Sequence, residues 1–156
     1  MNDKTFVDTN ILLYARDSGQ NEKQVIARRW IETLWRKQTG RLSFQVLQEF
    51  YVNVTQKLNP GLPVELARRD VRALLAWNPM PIHAGVLDAA WELMDRFGFS
   101  WWDAQIVAAA RLEGCAILLS EDMQDGLDVW GIRILNPFTA TAAGPHKDFD
   151  LSVPDR

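Results

Sequence analysis

The chain has 156 residues, 47% hydrophobic and 24% charged, with a formal net charge of −3, which suits one compact domain with a full core. No apolar run approaches the roughly 20 residues that span a bilayer, and the opening MNDKTFVDTN lacks the apolar stretch of a signal peptide, so a cytoplasmic protein is expected. A single cysteine, Cys115, excludes an internal disulfide, and His83 and His146 stand apart from any Cys or second His, which leaves zinc chemistry without support.

In chain order, apolar runs alternate with helical periodicity in the rhythm of a parallel α/β sheet. Strands are predicted near residues 4–8, 41–43, 80–83, 116–119 and 132–135, and helices near 10–16, 22–38, 44–58, 63–77, 85–97 and 102–113. Gly40, Pro60, Gly61, Pro63, Pro79, Gly98 and Gly114 punctuate them. Thr9 and Asn10 are placed to cap the first helix. There are no internal repeats. Residues 1–138 read as one domain, and 139–156, rich in small, polar and Pro residues, read as a flexible C-terminal tail.

Four carboxylates recur at the ends or in the middle of these apolar stretches. Asp8 follows the first strand and Asp122 the strand at 116–119, so both face the crevice outside the carboxyl ends of a parallel sheet. Glu49 sits inside VLQEFYV, on the helix marked by Phe44, Leu47, Tyr51, Val54 and Leu58, and Asp103 lies in the first turn of an almost wholly apolar helix. Taken singly, each is an ordinary turn former or cap, and the helix dipole alone accounts for Asp103. Together they would be costly to hold ionised at close range without a shared metal or proton.

VDTNILLY, QVLQEFYVNV, WWDAQIVAAA and LLSEDMQDG, in this order and at these separations, resemble the four acidic motifs of the PIN domain family, most closely its single-domain prokaryotic VapC-type toxin ribonucleases, over residues 5 to about 138. The resemblance implies a three-layer α/β/α fold around a mainly parallel sheet of four or five strands. It implies Asp8, Glu49, Asp103 and Asp122 as catalytic metal ligands, with Asn10 and Ser120 as polar neighbours and Asp125 as a supporting or substitute ligand. Glu121 adjoins Asp122, and the residues leave open which of the two faces the metal. RNA as substrate, Mg2+ or Mn2+ as cofactor, a homodimer and a small antitoxin partner are likewise implied by the resemblance. Oxygen donors suit Mg2+, which keeps several waters, and a bound ion would activate a water for phosphodiester hydrolysis.

Other residues carry less. Arg28, Arg29, Arg36, Lys37 and Arg41 cluster on or after the second helix, and Arg68, Arg69 and Arg72 on the fourth. Solvated helix faces, with Glu32 and Arg36 as an i,i+4 pair, account for them. The functional alternative is a phosphate-tracking rim that uses Arg28, Arg29, Arg68 and Arg72. Of the seven tryptophans, Trp91 fits a core stripe with Leu87, Ala90 and Met94. Cys115 reads as a buried structural thiol.

The expected function is therefore a metal-dependent endoribonuclease, the toxin of a toxin–antitoxin pair. The alternatives are a stand-alone PIN nuclease of RNA processing and a non-catalytic PIN scaffold. A haloacid-dehalogenase-type enzyme would want an Asp where Asn10 stands, and a receiver domain would need an acidic pair before its phosphoacceptor, which is absent.

Overall fold

The computed structural model describes residues 2–139; the expected C-terminal tail from residue 140 onward lies outside the described residues. The elements are β1 (Thr5–Val7), α1 (Thr9–Arg16), α2 (Asn21–Lys37), β2 (Gly40–Arg41), α3 (Phe44–Gln56), α4 (Val64–Leu74) with a 3-10 turn (Leu75–Trp77), α5 (Ala84–Phe97), α6 (Trp101–Leu112), β3 (Ile117–Leu119), β4 (Asp128–Val129) and β5 (Ile132–Leu135). The sheet runs in the order β2-β1-β3-β5-β4, parallel except for β4 against β5. This is the expected α/β/α architecture.

The central strands have no alternation to show because both faces are covered. Phe6, Val7, Leu118, Leu119 and Ile134 are all fully buried, the mark of a parallel sheet packed on both sides. β1 and β3 align Val7 with Leu119, so Asp8 and Ser120 leave the sheet side by side. This register is what assembles the site.

Three expectations change at the level of local structure. The strand expected at 80–83 does not form: Met80 makes a single parallel bridge to Ser43, and Pro79 and Pro81, which have no N–H, cannot extend the ladder. The hairpin strand β4 was not expected. Its two-residue turn, Trp130 and Gly131, takes positive φ at both positions (53° and 86°), the geometry of a type I′ turn, but Trp is not a residue that signals it. Trp91 is 52% exposed and lies against Trp101 rather than in the core, because α5 buries Val86, Ala90 and Leu93 instead.

Candidate active site

The N-cap of α1 is Asp8 itself. Its Oδ1 accepts from the Thr9 N–H at 2.7 Å, so Thr9 and Asn10 belong to the first turn rather than to the cap. Capping leaves Asp8 Oδ2 to accept from Ser120 Oγ at 2.8 Å and from Asn10 Nδ2 at 3.3 Å. Asp8 is thus held by three donors at the point where β1 and β3 end together.

The other acids arrive from separate elements and line the same cleft, about 280 Å³ in volume. Glu49, in mid α3, accepts from Thr9 Oγ1 at 2.7 Å and from Gln45 Nε2 at 3.3 Å. Asp103 stands in the first turn of α6, behind the N-cap Ser100. Asp122 is exposed at the mouth, where Asn10 Nδ2 donates to its Oδ2 at 3.2 Å while the Ser120 hydroxyl accepts from its backbone N–H at 3.3 Å. One amide, Asn10, therefore bridges the acids of the two strand ends. Thr9, Leu13, Gln45, Asn53, Trp102 and Ile106 complete the lining, which contains no Lys or Arg.

Burial pushes the Asp8 carboxyl up to about 6; the bonds from Ser120 and Thr9 oppose the rise, and the charges of Asp103 and Glu49 add to it. Asp103 is also raised, first by burial and then by the charge of Asp122, with a bond to Ser100 opposing and Glu49 adding further. Four carboxylates therefore share a cleft whose lining carries no Lys or Arg, and carboxylate oxygens are the ligand type that hard divalent ions take. Among the described residues no group of three or more Asp, Glu, His or Cys side chains stands close enough together to hold a metal ion as placed.

The remaining expected residues stand elsewhere. Glu121 turns away from the cleft: it accepts from Tyr14 Oη at 2.5 Å and is ion-paired with Lys23, while its backbone N–H donates to Asn10 Oδ1 at 3.1 Å. Asp122, not Glu121, faces the cleft. Asp125 accepts from the Asn136 N–H at 2.9 Å and is not part of the lining. Arg28 donates to the Ala15 carbonyl at 2.8 Å, and Arg68 and Arg72 border a separate apolar groove between α3 and α4, so no arginine of the expected rim, Arg29 included, lines the cleft. Cys115 is buried and its thiol is pushed up to about 12, chiefly by burial. Sequence reading missed Gln45, Asn53 and Trp102. Gln45 and Asn53 were within reach of it, since they lie four residues before and after Glu49 on the same helical face.

The PIN domain family profile matches residues 5–124. The chain belongs to the PIN domain family. Among solved structures, a chain of a toxin–antitoxin complex from Klebsiella pneumoniae superposes with a TM-score of 0.64 at 23% identity, covering 86% of this chain and 98% of that one. VapC20 of Mycobacterium tuberculosis, described as a sarcin–ricin loop cleaving toxin, gives a TM-score of 0.54 at 20% identity, covering 73% and 86%. VapBC2 of Rickettsia felis, solved with a fragment of promoter DNA, gives 0.50 at 19% identity, covering 76% and 87%. At these identities the likeness is one of fold. Comparison with curated protein sequences gave no match.

Proposed function

We propose that this PIN domain is a Mg2+- or Mn2+-dependent endoribonuclease that hydrolyses RNA phosphodiester bonds, and that it is the toxin of a toxin–antitoxin pair. The observation that carries the reading is the meeting of Asp8, Glu49, Asp103 and Asp122, from four different elements, in one cleft whose lining offers no cation.

The fold uses its own donors to hold these acids, not to neutralise them. Thr9 Oγ1 fixes Glu49, Ser120 Oγ fixes Asp8, and Asn10 spans Asp8 and Asp122. Oriented carboxylates of this kind are what a catalytic metal site requires of a protein. A bound divalent ion supplies an activated water and offsets charge on the leaving oxygen. Asp8, Glu49, Asp103 and Asp122 would hold it, directly or through its waters. Without a cation the same acids would repel a phosphate.

The toxin role and a small antitoxin partner are supported by the fold likeness to structures described as toxins and toxin–antitoxin complexes. A homodimer and a cytoplasmic location belong to the same reading; among the described residues no helix is long and apolar enough to cross a membrane. The test is incubation of the purified chain with mixed RNAs in Mg2+, Mn2+ or EDTA, with mapping of the cut ends. Cleavage should require the metal and vanish in Asp103→Asn and Glu49→Gln. Full activity in EDTA or in either variant would overturn the mechanism. Failure of any small partner to co-purify from the native host would remove the toxin role and leave the nuclease, and light scattering that shows a strict monomer would remove the dimer.

A further inference from the structure

Six of the seven tryptophans are explained by packing. Trp30 and Trp77 are buried; Trp35 lies 5.6 Å from Trp77; Trp91 and Trp101 stack at 5.7 Å; Trp130 meets Phe97 edge-on and carries the Arg111 guanidinium 3.9 Å above its ring. Trp102 is not. It is 63% exposed, more than any other exposed large hydrophobic residue, and among the described residues its ring has no aromatic, cationic or hydrogen-bonding partner.

Its position is nevertheless fixed. Trp102 lines the acidic cleft one residue before Asp103, and its carbonyl accepts from Gln45 Nε2 at 3.3 Å, the same amide nitrogen that donates to Glu49. The helix turn that carries this exposed ring is therefore anchored at the lip of the site. On the α3 wall Asn53, one turn beyond Glu49, also lines the cleft, and among the described residues its side-chain amide has no hydrogen-bond partner. An indole in an interface core would want apolar neighbours, whereas the cleft around Trp102 is lined largely by Asp8, Asn10, Gln45, Glu49, Asp103 and Asp122. A flat ring beside polar and acidic groups suits a nucleobase, which offers a π-face to stack and a polar edge to bond.

We propose, building on the ribonuclease reading above, that Trp102 is the stacking platform for one unpaired base beside the phosphate that enters the cleft, with Asn53 bonding that nucleotide from the α3 wall. A base within a duplex is already stacked on its neighbours and cannot reach such a platform, so Trp102 takes only an unpaired nucleotide.

The test compares wild type, Trp102→Ala, Trp102→Phe and Asn53→Ala on three labelled RNAs: a single strand of mixed sequence, the same strand in a duplex, and single strands with one abasic residue moved along the chain. Binding is read by anisotropy in EDTA and again in Ca2+, and cleavage in Mg2+ or Mn2+. Only ratios between variants are compared, because repulsion from the acids acts on all of them. Trp102→Ala should weaken single-strand binding about 5- to 150-fold, the range of one lost base stack, while Trp102→Phe keeps most of it. Asn53→Ala should give a smaller loss. One abasic position should cost wild type a comparable amount and cost Trp102→Ala nothing further. Equal single-strand binding by wild type and Trp102→Ala, no single-strand binding by wild type, or the absence of any such abasic position would overturn the proposal. A changed sedimentation coefficient in Trp102→Ala would also overturn it, by assigning the ring to a protein interface. If wild type binds through Trp102 but cuts nothing with any ion, the stacking stands and the nuclease reading falls; if wild type cuts and Trp102→Ala matches it in both KM and kcat, the outcome is the reverse.

Discussion

Glu121 and Asp122 are neighbours in sequence that belong to opposite regimes of charge. Glu121 joins a closed set with Lys23 and Tyr14, and at the end of α1 Arg16 forms a two-pronged pair with Asp70, at 2.7 and 2.6 Å, beside a groove of about 390 Å³ lined by Leu12, Ala15, Ile31, Trp35 and Leu74. Asp122 faces a smaller cleft shared with Asp8, Glu49 and Asp103, where the lining supplies hydroxyls and amides but no counter-charge. This protein pairs a carboxylate with a cation between α1 and α4 and between α2 and the turn after β3, and omits the cation where β1, β3, α3 and α6 meet.

The strongest way to break this contrast is through activity. Asp103→Asn or Asp8→Asn should lower RNA cleavage in Mg2+ by about 100-fold or more, because several kcal/mol of transition-state stabilisation is expected to pass through such ligands; Asp70→Asn, which removes a paired acid, should leave the cutting rate within a few fold. Similar rates in all three variants would show that the cleft acids are no more functional than the paired ones.

Stability against pH gives the next effect. Asp8 has a folded pKa raised from 3.8 to about 6, so its stabilising contribution is complete below the lower value and is lost as pH rises through the upper one. The difference corresponds to at most roughly 3 kcal/mol. Denaturant titrations of the metal-free protein between pH 4 and 7 should show this loss in wild type and a flatter profile in Asp8→Asn, and Mg2+ should reduce it in wild type. Identical profiles would remove the strained carboxyl. The profile is the correct measure here, not the absolute stability, because an Asn at position 8 would turn a second amide group toward Asn10 Nδ2 and the Ser120 hydroxyl.

Asp103→Asn avoids most of that complication. In EDTA at neutral pH it should melt above wild type, by an amount on the order of 1 kcal/mol once the exposure of a half-buried group is allowed for, and Mg2+ should reverse the ranking by stabilising only the protein that keeps its site. Asp70→Ala should act in the opposite sense: it strands Arg16 and lowers stability by about 1 kcal/mol with or without metal. A metal-independent ranking of Asp103→Asn would make it an ordinary helix-start residue. The smallest effect is expected at Cys115: Cys115→Ser should leave turnover unchanged, since burial holds the thiol protonated at about 12, and a large loss of rate would point to thiol chemistry.

By itself the sequence determined the fold class and most of the helices and marked four acids that line one cleft, because long amphipathic or apolar periodicity and strand-end Asp residues are local signals that survive into the fold. Asp8 and Asp122 were legible as crevice residues from the strands they follow, whereas Glu49 and Asp103 were joined to them only by the resemblance to the PIN motifs. Tertiary structure decided the rest. Nothing local distinguishes Glu121 from Asp122; the choice is made by Lys23 and Tyr14, about a hundred residues away, which draw one carboxylate aside. The strand at 80–83 failed because two prolines left only one bridge to Ser43, and Trp91 left the core because its helix buries a different stripe against α6. Whether a carboxylate is strained, paired or merely a cap depends on its neighbours in space and on how much water they exclude, and those neighbours come from strands and helices that meet only when the sheet register aligns β1 with β3.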